Sequence, residues 1–165
     1  MKNMMLVLLM TVSYGSYAQT GQYQCMPCGN DCDKESYDKP GNCPHCNMQL
    51  VKKSTINFKS IKPEEVCAYV AQHPDVMLLD VRTKDEYDGK TDDYGTLKNA
   101  INIPIQELES RVGELKDAKD KEIIVYCSFS KRSPRASYFL TQNGFKHVVN
   151  MEGGISTMTD KSCKR

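Results

Sequence analysis

Two kinds of patterning alternate along most of the chain. Short unbroken apolar runs, Val76-Met77-Leu78-Leu79 before Asp80 and Ile123-Ile124-Val125 before Tyr126, predict strands covered on both faces. Between such runs lie segments with apolar residues at helical spacing. Pro63 opens one, which carries Val66, Tyr69 and Val70 on one side and stops at His73-Pro74. Arg132 to Gln142 is a second, with Ala136, Phe139 and Leu140 on one face and Gly144 just past its end. Thr83-Lys84-Asp85-Glu86 has the spacing of a capping box and predicts a short helix. Ile56-Asn57-Phe58, Ala100 to Pro104 and His147-Val148-Val149 read as short extended pieces, and Gln106 to Leu115 as a helix. Glu152-Gly153-Gly154-Ile155 turns the chain before a last short helix. This alternation over 54–160 predicts an α/β fold, a parallel sheet flanked by helices. Ligands of such sheets sit at the carboxyl ends of the strands.

The first 53 residues do not follow that rhythm. Met4 to Val12 is apolar apart from Thr11, follows Lys2 and precedes Ser16-Tyr17-Ala18, which has small residues where a signal peptidase reads. Residues 1–18 are therefore expected to be an export signal cut before Gln19. The apolar part falls short of the ~20 residues a membrane span needs. No cysteine lies near the cut for lipid attachment, so no membrane association is expected after cleavage. Export implies an oxidising compartment, most simply a periplasm. Residues 19–53 hold too little apolar material for a core, so a metal or crosslinks must hold them together. Residues 161–165 read as a tail.

Composition narrows the chemistry. The 165-residue chain has a net charge of +1, with no overall basic field to suggest nucleic acid. Of its eight cysteines, Cys25, Cys28, Cys32, Cys43 and Cys46 crowd into 22 residues, while Cys67, Cys127 and Cys163 are scattered. A disulfide scaffold usually spreads its cysteines, so the clustering points to a local site. Cys25-Met26-Pro27-Cys28 and Cys43-Pro44-His45-Cys46 are two knuckles 14 residues apart. Four thiolates, Cys25, Cys28, Cys43 and Cys46, suit tetrahedral zinc, and soft sulfur also favours monovalent copper. The competing reading is two disulfides without metal. Cys32 could replace one ligand or stay free, and Met26, Met48 and His45 are auxiliary ligands or plain packing and surface residues. Cys67, in the middle of a helix, reads as a packing residue.

Cys127 ends the strand 123–126 and precedes a helix N-terminus, where backbone N–H groups converge and the dipole is positive. Lys131 and Arg132 add charge. A thiol placed there should ionise more easily than usual. The plain alternative is a small core residue at a strand end.

Two resemblances follow. Tyr23-Gln24-Cys25-Met26-Pro27-Cys28 with Pro40-Gly41-Asn42-Cys43-Pro44-His45-Cys46-Asn47-Met48-Gln49-Leu50 resembles the short heavy-metal-binding domain attached to metal-efflux proteins. Pro and Met are exchanged in the first knuckle, Cys28 stands where that family has histidine, and Asn47 replaces a usual glycine. Leu78-Leu79-Asp80-Val81-Arg82, Glu86-Tyr87, Ala100-Ile101-Asn102-Ile103-Pro104, Val125-Tyr126-Cys127, Arg132-Ser133 and Glu152-Gly153-Gly154-Ile155 resemble a single rhodanese domain. Ser130 replaces the loop glycine of that family, Thr96-Leu97-Lys98-Asn99-Ala100 its His-Ile-x-Gly-Ala, and Met158 its closing tryptophan.

The rhodanese resemblance implies a sulfurtransferase that moves sulfane sulfur from an anionic donor such as thiosulfate to a thiol acceptor through a Cys127 persulfide. Lys131 and Arg132 would then attract the anion, and N–H groups from Ser128, Phe129, Ser130 and Ser133 would cradle the outer sulfur. Asp80, Arg82 and Glu86 are expected to act structurally. The loop from Cys127 to Arg132 is one residue shorter than in cysteine phosphatases, which fits a bare sulfur atom better than an oxyanion. The alternative is a metal-handling protein that uses the rhodanese fold as a platform. A thiol-redox role for the knuckles lacks a thioredoxin-like strand-helix context.

Overall fold

The computed structural model describes residues 21–165; the export signal expected over 1–18 lies outside them. The N-terminal module pairs β1 (Tyr23–Cys25) antiparallel with β2 (Leu50–Lys52), and a 3-10 turn spans Asp31–Lys34. Its interior is Cys25, Cys28, Cys32, Cys43 and Leu50. Four sulfurs and one leucine bury too little apolar area to offset the chain entropy of 30 residues or so, which is why small modules depend on an ion or crosslink.

The remainder is a five-stranded sheet, every pairing parallel. In chain order the elements are β3 (Lys59–Ile61), α1 (Pro63–Gln72), β4 (Met77–Asp80), α2 (Lys84–Tyr87), β5 (Ile101–Asn102), α3 (Leu108–Arg111), β6 (Glu122–Tyr126), α4 (Ser133–Gln142) and β7 (His147–Met151). The strand order is β3-β7-β6-β4-β5, so β6 runs through the middle. Its alternate residues serve two cores. Ile123 and Val125 join Leu79, Ala136 and Leu140 on one face, and Ile124 and Tyr126 join Leu78, Val66 and Leu97 on the other. That double burial is why the run is unbroken in sequence.

Three expectations change. The first strand lies at Lys59–Ile61 rather than 56–58. Residues ahead of it serve contacts instead: Gln142 Nε2 donates to the Thr55 carbonyl at 2.8 Å, Thr55 Oγ1 lies 3.2 Å from the Tyr138 hydroxyl, and Phe58 packs on the core. The helix expected over 106–115 is one α-turn, Leu108–Arg111, that tightens into a 3-10 helix over Val112–Ala118. The weak helix former Gly113 sits where the geometry changes.

Cys67 is buried in α1 as expected, but not as a plain packing residue. It is bonded to Cys163, with a Cα–Cα separation of 5.3 Å and a sequence separation of 96. The residues read as a tail fold back against the segment before β5: Lys98 N–H donates to the Cys163 carbonyl at 2.9 Å and Arg165 N–H to the Thr96 carbonyl at 2.8 Å. Packing alone does not distinguish a buried thiol from half a cystine when the partner is that remote. Among the described residues no helix is long and apolar enough to cross a membrane.

A crosslink closing a loop of this size restricts the unfolded chain by about 2–5 kcal/mol. Cys163→Ser should lower the unfolding free energy by about that amount, measured as the midpoint of equilibrium denaturation. An unchanged midpoint would show that the bridge does not form.

Candidate active site and metal centre

Cys127 follows the last residue of β6, and α4 begins six positions later at Ser133. The thiol is fully buried. Arg132 N–H donates to its sulfur at 3.4 Å, and Ser133 Oγ lies 3.6 Å away. The loop's amides can face inward because its carbonyls are held elsewhere. Ile155 N–H donates to the Cys127 carbonyl at 2.9 Å and Ser156 N–H to the Ser128 carbonyl at 3.1 Å. Gly154, at φ 76°, makes that approach possible: a Cβ there would lie 2.4 Å from Ser128 O and 2.6 Å from Cys127 O. Ser130 has φ 52°, the left-handed conformation for which the family uses glycine, at a cost of about 1 kcal/mol or more. Burial alone would raise the Cys127 thiol, but hydrogen bonds from Arg132 N–H, the Ser133 hydroxyl, and the N–H groups of Ser133 and Phe129 outweigh it. The net shift is downward.

Both loop cations, expected to attract an anion, have protein partners. Arg132 binds Glu86 with two bonds of 2.6 Å and reaches Ser128 Oγ at 3.1 Å. Ser128 Oγ in turn donates to Glu86 at 2.8 Å. Glu86 is fixed by the capping box of α2, accepting from Thr83 N–H at 2.9 Å. Arg132 holds the Glu86 carboxyl well below the usual carboxylate range. Glu86 is thus the site residue that sequence reasoning left in a structural role; its capping-box position was the available signal. Lys131 Nζ bonds the module, donating to the Gly29 carbonyl and to Asn30 Oδ1, both at 2.6 Å. Phe129 is 55% exposed and packs edge-on to Tyr94. Ser130 Oγ accepts from Asn150 Nδ2 at 3.4 Å. Asp80 and Arg82 form a fully buried pair at 2.8 Å that also binds Thr96 and the Gly95 carbonyl, the structural role expected of them.

The module touches the loop through Gly29. Its φ is 73°, and a Cβ there would lie 1.8 Å from Ser130 O. Only a glycine lets the two backbones meet in this way.

Within the module, the sulfurs of Cys25, Cys32, Cys43 and Cys46 all lie within 4.8 Å of one another. The spacing had placed Cys28 in this set; the structure brings Cys32 there. Asp33 explains the exchange. Its carboxylate accepts from the N–H groups of Cys28 and Gly29 at 2.9 and 2.7 Å, and from Cys28 Sγ at 3.2 Å, drawing Cys28 aside. The 3-10 turn carries Cys32 inward. Burial opposes ionisation of Cys43, yet amides of His45 and Cys46 bring it down to about 6. Burial pushes Cys32 up to about 12. Asn47 has φ 58°, matching the glycine it replaces. His45 sits at the surface, 3.0 Å from Glu35. Four converging sulfurs, three of them buried and one already favouring the thiolate, fit a soft or borderline metal ion.

A rhodanese-like domain model matches residues 63–161, and a heavy metal binding domain model matches 22–53. The chain belongs to the rhodanese-like family. Its rhodanese domain is similar to a rhodanese-related protein from Thermoplasma volcanium, at 32% identity and a TM-score of 0.51 over 64% of this chain and 94% of that one. A rhodanese-like domain protein from Staphylococcus aureus gives 26% identity and a TM-score of 0.54 over 65% and 97%. Curated relatives include proteins named tRNA uridine(34) hydroxylase from Photorhabdus laumondii, 37% identical over 58% of this chain, and from Hamiltonella defensa, 31% identical over 65%. The chain spans 26% and 32% of those proteins.

Two outcomes follow for this rhodanese domain. Because the thiolate is the reactive form and its folded pKa is depressed, alkylation of Cys127 should rise with pH through a midpoint below the ~8.5 of free cysteine, followed by mass spectrometry of the Cys127 peptide. A midpoint at or above that value would remove the role of the amide ring. Gly29→Ala should force the module off the loop, speeding proteolysis within 53–58 at least several-fold, while an unchanged cleavage rate would show that the contact is not tight.

Proposed function

We propose that the protein is an exported sulfurtransferase whose carrier is Cys127. Its thiolate attacks the outer sulfur of an anionic donor such as thiosulfate. A new sulfur–sulfur bond forms on Cys127, the donor's own sulfur–sulfur bond breaks, and sulfite leaves with the electron pair. The outer sulfur of the persulfide is then held by N–H groups of Phe129, Arg132 and Ser133. An acceptor thiolate attacks that sulfur, takes it as its own persulfide, and returns Cys127 as thiolate. No separate general base is needed, because the nucleophile is already favoured as an anion. Arg132 acts as a positioning residue through Glu86, and Lys131 holds the loop against the module; Ser128 and Ser130 shape the loop.

The observation that carries this reading is a buried thiol with depressed pKa inside a ring of inward-facing amides. The Cys67–Cys163 bridge supports export, since such crosslinks persist in oxidising compartments. The net charge of +1 supports small sulfur donors and thiols rather than the tRNA named for the curated relatives. In the module, Cys25, Cys32, Cys43 and Cys46 would hold zinc or monovalent copper, which would supply the crosslink that its small core lacks. The competing reading, a metal-handling protein with an idle rhodanese fold, draws on that same cluster.

Intact mass spectrometry before and after thiosulfate separates the two. The chain should gain one sulfur and lose it to cyanide or a thiol. Cys127→Ser should gain none and transfer sulfur at background rate while staying folded. A chain that never gains sulfur would favour the metal-handling reading, and a Cys127→Ser variant that still transfers it would refute Cys127 as the carrier.

A further inference from the structure

The module holds more sulfur than one tetrahedral ion uses. Besides the group formed by Cys25, Cys32, Cys43 and Cys46, a second set of donor atoms within 4.8 Å comprises Cys25, Cys28, Cys32 and Asp33. The two sets share Cys25 and Cys32. The separations tie them into one cluster: Cys25 to Cys46 is 3.3 Å, Cys28 to Cys32 is 3.6 Å and Cys32 to Cys46 is 3.8 Å. Cys25, Cys28, Cys32 and Cys43 are buried and Cys46 is partly so. Asp33 is occupied by two backbone N–H groups, so the second set offers three sulfurs. Three thiolates are a poor match for zinc, which takes four ligands in structural sites. They suit a soft monovalent ion, and a thiolate has lone pairs enough to bridge two such ions.

We propose that the five cysteines form a binuclear site for monovalent copper, with Cys25 and Cys32 as bridging thiolates, Cys43 and Cys46 completing the first position and Cys28 the second. Zinc fills the first position alone. Binding is acid–base and not redox: each coordinated thiol releases its proton, the metal keeps its charge, and the cluster anion is partly neutralised by each ion. The Asp33 carboxylate remains hydrogen-bonded to the loop and is displaced only from the Cys28 thiol proton. Cys28 thus extends the site toward the face of the module that meets the sulfur loop, since Gly29 follows it directly. The inference does not depend on sulfur transfer by Cys127.

The test uses the full chain with Cys127→Ser, so that no sixth free thiol contributes. The protein, its module thiols reduced and its Cys67–Cys163 bridge intact, is titrated without oxygen with zinc, and separately with monovalent copper delivered from a competing chelator. Native mass spectrometry counts the ions. One zinc or two coppers should bind at saturation. Adding Cys28→Ser should leave zinc at one and reduce copper to one. Adding Cys32→Ser should weaken zinc at least tenfold. Copper X-ray absorption supplies a second readout, because a copper–copper scattering vector requires bridging sulfur and does not depend on any variant folding. Saturation at one copper, retention of two by the Cys28→Ser chain, or absence of that vector would each overturn the binuclear site.

Discussion

A thiolate in a protein interior must be solvated by the protein itself, and that requirement organises the second domain. Leaving water costs an isolated anion several kcal/mol. Amides, one hydroxyl and the Arg132 guanidinium offset that cost. They can do it only because β6 delivers Cys127 to the sheet's carboxyl edge, α4 begins immediately after the loop, and the Ile155 and Ser156 amides that follow the Gly153-Gly154 turn take up the loop's carbonyls. Remove the turn's close approach and the carbonyls of Cys127 and Ser128 lose their donors. The loop would then have reason to rotate its amides away from the sulfur.

The charges form an outer frame around that ring. Glu86 and Arg132 neutralise each other across the loop mouth, so the guanidinium orders the loop without presenting a free charge. Lys131 orders it from the other side, by bonding the module. The Cys127 loop is therefore clamped between α2 and the knuckle that carries Cys28. A change in the conformation of residues 25–34 reaches Ser130 and Lys131 through direct contact. The two modules share a joint, and the joint is the Cys127 loop.

Much of this was legible in the chain. Double-faced burial wrote the β4 and β6 strands as unbroken apolar runs, Pro63 and the Thr83–Glu86 box marked helix starts, and the Val125–Ser133 stretch fixed strand, loop and helix in order. What was not legible depended on contacts remote in sequence. The Cys67–Cys163 bridge joins residues 96 apart. Whether Lys131 faces a substrate or another module cannot be encoded in its neighbours. The Cys-x-x-Cys rule favoured Cys28 over Cys32 because it counts spacing, whereas the outcome turned on Asp33, whose carboxylate ties down the knuckle's amides. Positive φ at Ser130 and Asn47 shows the opposite case, in which the backbone keeps the conformation of a missing glycine.

The chain contains one cystine and, among the described residues, six free thiols, and those two facts constrain each other. In an oxidising compartment, thiols 3.3 to 3.8 Å apart are close enough to pair after small side-chain rotations. Five cannot pair among themselves without leaving one over, and the leftover thiol would attack its neighbours' bridges. Metal thiolate bonds would resolve that instability for all five together, which disulfides cannot. Cys127 needs no such protection, because it lies buried with no second cysteine in its loop. An ion that crosslinks the proposed site would thus also keep its cysteines reduced.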